Sequence, residues 1–264
     1  MSRQTLIFAN FLAPVLYKTY QHIVEYVERS IDTPTFLLRG ESPNDFAEGF
    51  IDAGFICGLT YVHLSRQVPS PVELIAAPIL KGARYQQRPW YFSDIVVRND
   101  SDIHTLKDLR GRTWAYNEKA SHSGYNLVQY MLLEQEERLE TFAKTVETGS
   151  HAQSLRLVVE GKVDAAAIDS HMLDMVLRNR PDVAQSVRMV DSFGPSTVPP
   201  VVVSTRLPDA VKREIRQAFL TMHQDRVIAQ QLDLGLIERF TSISDEHYQD
   251  IRAMHNKVQQ NIAV

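Results

Sequence analysis

The segment NEKASHSGYN, residues 117–126, follows the strand-like run DLRGRTWAY and precedes the apolar, helix-like run LVQYMLL. It brings two serine hydroxyls, an imidazole and a glycine to the point where a helix should begin. A strand, a short polar loop and a helix in this order are typical of α/β proteins, in which ligands bind beyond the carboxyl ends of strands. The segment therefore predicts the fold class and marks a candidate binding site.

A helix that starts at or just after Ser121 directs its first free N–H groups and the positive end of its dipole toward that loop. The hydroxyls of Ser121 and Ser123 can donate to an oxyanion, and Gly124 lets the backbone approach it without a Cβ. A plain serine N-cap without any ligand explains the same residues. Taken alone, the residues favour the plain cap.

The flanking sequence repeats the alternation of strand-like and helix-like runs. The first part reads LIFAN, VLYKTYQHIVEYVERS, TPTFLLRG, DAGFICGL and VELIAAPIL, and the rhythm restarts after YFSDIVVRND. We therefore expect an α/β protein with two lobes, each a mostly parallel sheet flanked by helices.

The stretch TVPPVVVS, residues 197–204, interrupts this pattern with two prolines, and only helical patterns follow it. Those tail helices need a sheet to cover. We expect the chain to cross between lobes near residues 92 and 198, so that residues 1–92 and 199–264 form lobe 1 and residues 93–198 form lobe 2. Two crossings of this kind predict a hinge that closes on a ligand.

Composition excludes several classes of partner and chemistry. The net charge is −4 over 264 residues, and lysine and arginine are scattered, which argues against nucleic acid. The single cysteine, Cys57, lies in an apolar run, so no internal disulfide can form and an inert buried thiol is expected.

The first residues, MSRQTLIFANFLAPVLY, do not read as a signal peptide, because Asn10 and Pro14 interrupt the apolar run and no small-residue cleavage site follows. No stretch is long enough to span a bilayer as a helix. We expect either a cytoplasmic protein or an exported one whose signal was removed.

Several motifs together resemble those of the phosphate, phosphite and phosphonate substrate-binding proteins of ABC importers, the PhnD-like proteins. The resemblance covers about residues 6 to 250, and its most specific element is Ser-x-Ser-Gly after a WAYN-like strand. The other motifs are FANFLAP, GFICGLTYV, RPWYFSDIVVR, DLRG, GSH, VDAAAIDSH and GPST followed by PP. The resemblance implies the two-lobed type II periplasmic-binding-protein fold, a small oxyanion ligand held between the lobes, and permease and ATPase partners.

The resemblance also implies which residues contact the ligand. The segment from Ser121 to Gly124, including His122 and Ser123, ranks first, and Tyr61 of GLTYV ranks next. The remaining candidates lie at strand ends, at the first crossing or at a helix start: Asn10, Ala13, Tyr91, Ser93, His151 and Asp169. A packing tyrosine and a capping histidine explain Tyr61 and His151 equally well.

Family members that bind aminoalkyl phosphonates resemble one another in supplying two acidic side chains for the ammonium group. Asp169 is one candidate here, whereas Pro199 occupies the place expected for the second acid, after Ser196 and Thr197. This departure favours phosphate, phosphite or a small phosphonate over 2-aminoethylphosphonate.

Two other functions fit parts of the sequence. His122, His151 and His171 each follow a serine and could converge as the ligands of a zinc hydrolase, although no local signature such as HExxH is present. A cytoplasmic sensor of phosphate or phosphonate would keep the fold without transport. We expect neither enzymatic activity nor a cofactor.

Overall fold

The computed structural model describes residues 5–262, and this part of the chain divides into two compact units. Residues up to 90 and residues 197–249 form the first unit, and residues 91–196 and those from 250 onward form the second. The last helix from Asp250 thus groups with the second unit, whereas the sequence places the whole tail in lobe 1. One contact behind this grouping is that of Met254, which packs against the apolar core of the second unit.

The first unit contains a six-stranded sheet. Its strands are β1 (Leu6–Asn10), β2 (Thr35–Arg39), β3 (Ala53–Phe55), β4 (Val72–Leu80), β10 (Val201–Ser204) and β11 (Ile237–Thr241), in the order β11-β4-β10-β3-β1-β2. The pairs β1–β2 and β1–β3 are parallel, but β10–β3, β10–β4 and β11–β4 are antiparallel. The expected mostly parallel sheet is therefore mixed, because β10 enters between β3 and β4 in the opposite direction.

Helices pack against this sheet, and the first of them does so through one apolar side. In α1 (Tyr17–Ile31), the buried residues Tyr20, Ile23, Val24 and Val27 recur every three or four positions, which is the spacing of one helix face. The other helices of the first unit are α2 (Asp45–Glu48), α3 (Gly58–Ser65), α9 (Asp209–Thr221) and α10 (Arg226–Leu234).

The second unit contains a five-stranded sheet. Its strands are β5 (Trp90–Arg98), β6 (Thr113–Tyr116), β7 (Lys144–Glu147), β8 (Ala165–Asp169) and β9 (Val187–Thr197), in the order β7-β6-β8-β5-β9. Strand β6 is parallel to both β7 and β8, whereas β5 is antiparallel to β8. The carboxyl ends of β6, β7 and β8 consequently lie at one edge of this sheet.

The helices of the second unit follow these strands in the expected alternation. They are α4 (Leu127–Leu133), α5 (Leu139–Phe142), α6 (His151–Val159), α7 (Ser170–Asn179), α8 (Pro181–Ser186) and α11 (Gln249–Ile262), and a π-helix, His122–Asn126, leads directly into α4. The core between sheet and helices includes Trp114, Leu127 and Leu132, all fully buried. No helix of the described residues combines the length and the apolar character that a membrane span needs.

Candidate functional site

The segment SHSG, residues Ser121–Gly124 and here called the SHSG turn, begins a helical run, as the sequence predicts. Ser121 is the N-cap, and its Oγ accepts a hydrogen bond of 3.0 Å from the Gly124 N–H. The first turn is wider than an α-helix, because the Asn126 N–H bonds to the Ser121 carbonyl at 3.0 Å. Within the described residues, the N–H groups of His122 and Ser123 have no acceptor. Two donors at a helix start are thus left for a ligand or water.

Gly124 is required by its neighbours within the second unit. A Cβ at this position would lie 1.8 Å from Asn117 Oδ1 and 3.1 Å from His151 Cε1. The sequence attributes this glycine to a close approach by the ligand, whereas the structure shows that the side chains of Asn117 and His151 occupy that space.

Asn117 is a site residue that the sequence analysis does not single out. Its side chain is buried, and within the described part of the chain its Oδ1 accepts no hydrogen bond. Its position directly after β6, at the carboxyl end of a strand, is the signal that could have identified it. An unsatisfied buried oxygen beside the SHSG turn is the kind of group that a ligand hydroxyl or a water satisfies.

His151 lies beside Ser123, as expected of a shared site. The distance from Ser123 Oγ to His151 Nε2 is 3.3 Å, and Ser150 caps the start of α6 by accepting from the Gln153 N–H at 3.2 Å. Burial lowers the pKa of His151 to about 4, against the opposing effect of the Ala167 backbone. The imidazole is therefore neutral at physiological pH and offers a hydrogen bond rather than a charge.

Ser93 supports the SHSG turn from the neighbouring strand. Its Oγ donates a hydrogen bond of 2.6 Å to the Ser123 carbonyl, and its side chain is fully buried on β5. The hydroxyl proton is thus directed to the protein backbone. Ser93, which the sequence suggests as a ligand candidate, therefore supports the turn that contains Ser121 and Ser123.

Asp169 ends β8 directly opposite Ser93 in the β5–β8 register. Its Oδ1 caps α7 by accepting from the Met172 N–H at 3.0 Å. Burial raises the pKa of Asp169 to about 6; the N–H groups of Met172 and His171 oppose this shift, and the nearby Asp94 and Asp174 add to it. One carboxylate of unusually high pKa therefore lies at the same sheet edge as the SHSG turn.

His122 lies inside the second unit. Its Nε2 is 2.8 Å from Ser196 Oγ, its Nδ1 is 3.1 Å from Asn126 Nδ2, and no part of the side chain is exposed. The buried ring of Tyr91 has its centroid 6.3 Å from that of His122. Both imidazole nitrogens are therefore engaged by protein, so the side chain of His122 has no hydrogen-bonding atom left for a ligand, whereas its backbone N–H does.

The three remaining candidates, Asn10, Ala13 and Tyr61, belong to the first unit, and Ala13 directly precedes a short 3-10 helix, Pro14–Leu16. Asn10 ends β1, and its Oδ1 accepts a hydrogen bond of 2.9 Å from the Leu12 N–H, so it shapes the loop that follows. Tyr61 lies in α3, where its hydroxyl donates to Asp245 Oδ1 at 2.6 Å and its ring contacts that of Tyr248 at a centroid distance of 4.8 Å. The hydroxyl proton of Tyr61 is therefore donated to Asp245 in the same unit.

The histidine trio of the zinc interpretation is not assembled. Across residues 5–262, no three histidine, cysteine or acidic side chains are arranged to hold a metal ion. His122 is bound to Asn126 and Ser196, and His171 is buried in the first turn of α7. The described residues thus give a zinc hydrolase no support.

Two mixed sheets flanked by helices, with neutral donors at the carboxyl ends of parallel strands, are characteristic of type II periplasmic binding proteins. Residues 6–248 match the family described as "ABC transporter, phosphonate, periplasmic substrate-binding protein", and the chain belongs to this family. The resemblance stated from the sequence motifs and the α/β fold class are thereby confirmed. The family consists of substrate-binding proteins rather than enzymes.

Solved structures share this fold at low sequence identity. PhnD1 from Prochlorococcus marinus (MIT 9301), in complex with methylphosphonate, superposes with a TM-score of 0.85 at 18% identity, covering 97% of this chain and 98% of its own. A binding protein component of an ABC phosphonate transporter from Pseudomonas aeruginosa gives 0.84 at 16% identity, covering 97% and 87%. The alkanesulfonate-binding protein SsuA from Xanthomonas axonopodis pv. citri, bound to MOPS, gives 0.64 at 19% identity, covering 100% and 94%.

Proposed function

We propose that this protein binds a small phosphonate, or the similar oxyanions phosphate and phosphite, and delivers it to the permease and ATPase of an ABC importer. The observation that carries the proposal is the SHSG turn, where the N–H groups of His122 and Ser123, left without an acceptor in the described residues, lie at a helix start in the same segment as the Ser121 and Ser123 hydroxyls. A helix N-terminus is a ready site for phosphoryl oxygens. The methylphosphonate complex of PhnD1, a protein of the same fold, supports this ligand class.

Neutral donors are sufficient for useful affinity. A hydrogen bond to a charged group contributes about 1.5 to 3 kcal/mol, and micromolar binding needs about 8 kcal/mol. The two N–H groups and the two serine hydroxyls are four candidate donors, since a neutral His151 with its proton on Nε2 donates to Ser123 Oγ and leaves the hydroxyl proton of Ser123 for the ligand. Such bonds reach the micromolar range after the entropy of immobilising a small ligand is subtracted.

Calorimetric titration with methylphosphonate tests the proposal. Replacing both serines, Ser121→Ala with Ser123→Ala, should raise the Kd at least about tenfold, because two charge-assisted hydrogen bonds are lost. A matched control replaces Ser30 and Ser186 by alanine, since their hydroxyls donate to the Tyr26 and Asp182 carbonyls of their own helices. A folded double variant with the wild-type Kd would disprove the site.

Membership of a periplasmic family supports a location outside the cytoplasm. A sensor of the same ligand is the second candidate function, and it predicts no dependence of uptake on this protein. Deleting the gene and measuring methylphosphonate uptake by intact cells separates the two roles. Uptake that falls to background supports import, and unchanged uptake supports sensing.

A further inference from the structure

A chain of side-chain hydrogen bonds, buried at its centre and partly buried at its ends, connects the SHSG turn to α11. His255 Nδ1 lies 3.2 Å from Asn126 Oδ1, Asn126 Nδ2 lies 3.1 Å from His122 Nδ1, His122 Nε2 lies 2.8 Å from Ser196 Oγ, and Ser196 Oγ lies 3.1 Å from Asp250 Oδ2. Both outer residues belong to α11 and all five belong to the second unit. We call these five residues the His122 chain.

Hydrogen-bond chemistry fixes the direction of every bond in this chain. The Asn126 amide NH₂ can only donate, so His122 Nδ1 accepts and the ring proton must lie on Nε2. His122 Nε2–H then donates to Ser196 Oγ, whose own proton goes to the Asp250 carboxylate. At the other end, Asn126 Oδ1 can only accept, so His255 Nδ1 carries a proton. The hydrogen bonds are thus consistent with one neutral tautomer of His122, the one with its proton on Nε2.

The environment supports that single tautomer. His122 is fully buried, and Asn126 and Ser196 are nearly so. Burial, with a smaller effect of His255, lowers the pKa of His122 to about 3, so its ring carries no charge at physiological pH. Buried polar groups that are fully satisfied hold their neighbours in one arrangement, whereas removal of one partner leaves another unsatisfied.

The chain is placed where it can control the oxyanion donors. His122 and Asn126 are the first and last residues of the π-helix, four positions apart, and Ser123 and Gly124 lie between them. Helix α11 also contacts α4, because Lys257 pairs with Glu134 and lies over the Tyr130 ring at 5.6 Å. The chain differs from this surface contact because it bonds to both the first and the last residue of the π-helix, His122 and Asn126.

We infer that His122 is a positioning residue of the oxyanion site and that α11, through Asp250 and His255, holds the SHSG turn in its binding geometry. This inference rests on the proposed function of that turn. If the inference is correct, α11 determines the geometry of the site, although no residue of α11 is among the candidate donors to the ligand. Breaking the chain at any of its bonds should weaken ligand binding.

The test compares variants of the chain with variants that leave it intact. Ser196→Ala removes the two bonds to His122 and Asp250, His122→Ala removes the two bonds to Asn126 and Ser196, and His122→Gln keeps a donor amide at the Nε2 position. Lys257→Ala breaks the surface contact between α11 and α4, and Thr113→Val removes the partly buried bonds of Thr113 to Asp164 near the start of β6. These two controls report the effects of loosened helix packing and of a lost, partly buried hydrogen bond.

Three measurements are made on each variant. Calorimetry gives the Kd for methylphosphonate, hydrogen–deuterium exchange of the ligand-free protein gives the protection of residues 117–126, and, in the proteins that keep His122, ¹⁵N NMR gives the tautomer of its ring. We expect Ser196→Ala and His122→Ala to raise the Kd at least about fivefold and to speed exchange, with partial recovery in His122→Gln. Both controls should stay within about twofold of the wild-type Kd.

The outcomes separate this inference from the proposed function. Wild-type affinity in Ser196→Ala and His122→Ala, in protein that still melts cooperatively, would overturn the inference, as would a wild-type His122 protonated on Nδ1. If the wild type binds no methylphosphonate, the proposed function fails, whereas exchange and NMR still decide whether the chain orders the turn. Unchanged exchange in both variants would then reject it.

Discussion

The Ser93 hydroxyl donates to the Ser123 carbonyl oxygen at 2.6 Å, so strand β5 is fastened directly to the SHSG turn. The sequence suggests both residues as ligand contacts, but this hydrogen bond indicates that they have different roles. Ser123 lies in the turn and keeps an N–H for a ligand, whereas Ser93 is fully buried and directs its proton to the backbone. Their roles can therefore be separated by mutation.

Ser93→Ala should lower the free energy of unfolding by about 1 to 2 kcal/mol, because it removes a buried hydrogen bond from the Ser123 carbonyl. The loss is measured by urea denaturation, with Ser186→Ala as a control at a bond within one helix. Affinity for methylphosphonate should weaken less than in the Ser121→Ala, Ser123→Ala variant. A larger loss of affinity in Ser93→Ala would mean that Ser93 contacts the ligand.

Gly124→Ala should destabilise the protein and weaken binding, because its Cβ would lie 1.8 Å from Asn117 Oδ1. Overpacking costs about 1 to 3 kcal/mol, which exceeds the gain of up to about 1 kcal/mol from better helix propensity. The second variant, Gly124→Ala with Asn117→Ala, removes the clashing atom. Thermal unfolding should show partial recovery of stability in the double variant. If the double variant is as unstable as the sum of its single changes, the contact with Asn117 is not the reason for glycine.

Tyr61→Phe should reduce stability by about 1 kcal/mol and leave the Kd for methylphosphonate within about twofold of the wild-type value. The reason is that the Tyr61 proton is already donated to Asp245 at 2.6 Å and is not available to an oxyanion. Tyr248→Phe is the matched control, since its hydroxyl donates to the Val198 carbonyl at 3.0 Å in the same unit. A tenfold weaker Kd in Tyr61→Phe alone would restore the ligand role that the family resemblance implies for Tyr61.

The pH dependence of stability should report the buried state of His122. Burial lowers the pKa of His122 from its usual value of 6.5 to about 3, so between these values the unfolded chain binds a proton that the folded chain does not. Unfolding is therefore favoured as the pH falls through this range, by about 1.4 kcal/mol per pH unit. Above about pH 6.5 His122 is neutral in both the folded and the unfolded chain, so its contribution to stability no longer changes with pH.

Urea unfolding of the wild type and of His122→Gln at three pH values between about 4.5 and 6.5 measures this effect. The slope of the free energy of unfolding against pH should be smaller in His122→Gln, because the other titrating groups are shared by both proteins. Equal slopes would show that His122 titrates normally in the folded protein.

Local sequence signals predicted the part of the site whose partners are close in the chain. The cap of the SHSG turn could be read from the sequence because Ser121 and Gly124 are three residues apart and follow a strand. The partners of His122 and Tyr61 could not, since Ser196 is 74 residues from His122 and Asp245 is 184 residues from Tyr61. A histidine after a serine has the same local pattern whether it faces a ligand or a buried network.

The same distinction explains the fold. Alternating apolar runs and helical spacing gave the α/β class, because both periodicities are local. Strand direction depends on which strands become neighbours, so the antiparallel placement of β10 between β3 and β4 left no local signal. The packing of Met254 against the second unit likewise depends on a surface formed by distant residues.

The structure also bears on which phosphonate the protein prefers. An ammonium group in a desolvated site needs carboxylates beside it, because an unpaired buried charge costs several kcal/mol. Asp169 is one acid, but its Oδ1 already caps α7 through the Met172 N–H. The segment expected to supply a second acid reads GPSTVPP, and its Ser196 and Thr197 bond to other protein groups.

Methylphosphonate should accordingly bind at least about tenfold more tightly than 2-aminoethylphosphonate, a difference of about 1.4 kcal/mol. Asp169→Asn should weaken ligands that carry a proton or an amine and spare a fully ionised oxyanion, since the carboxylate repels the ionised form. Burial raises the pKa of Asp169 to about 6, so this repulsion is present above that pH and disappears below it. Calorimetry with methylphosphonate, phosphate, phosphite and 2-aminoethylphosphonate, on either side of about pH 6, checks both statements for the wild type and Asp169→Asn. Tighter binding of 2-aminoethylphosphonate than of every simpler oxyanion would show that a second acid completes the site.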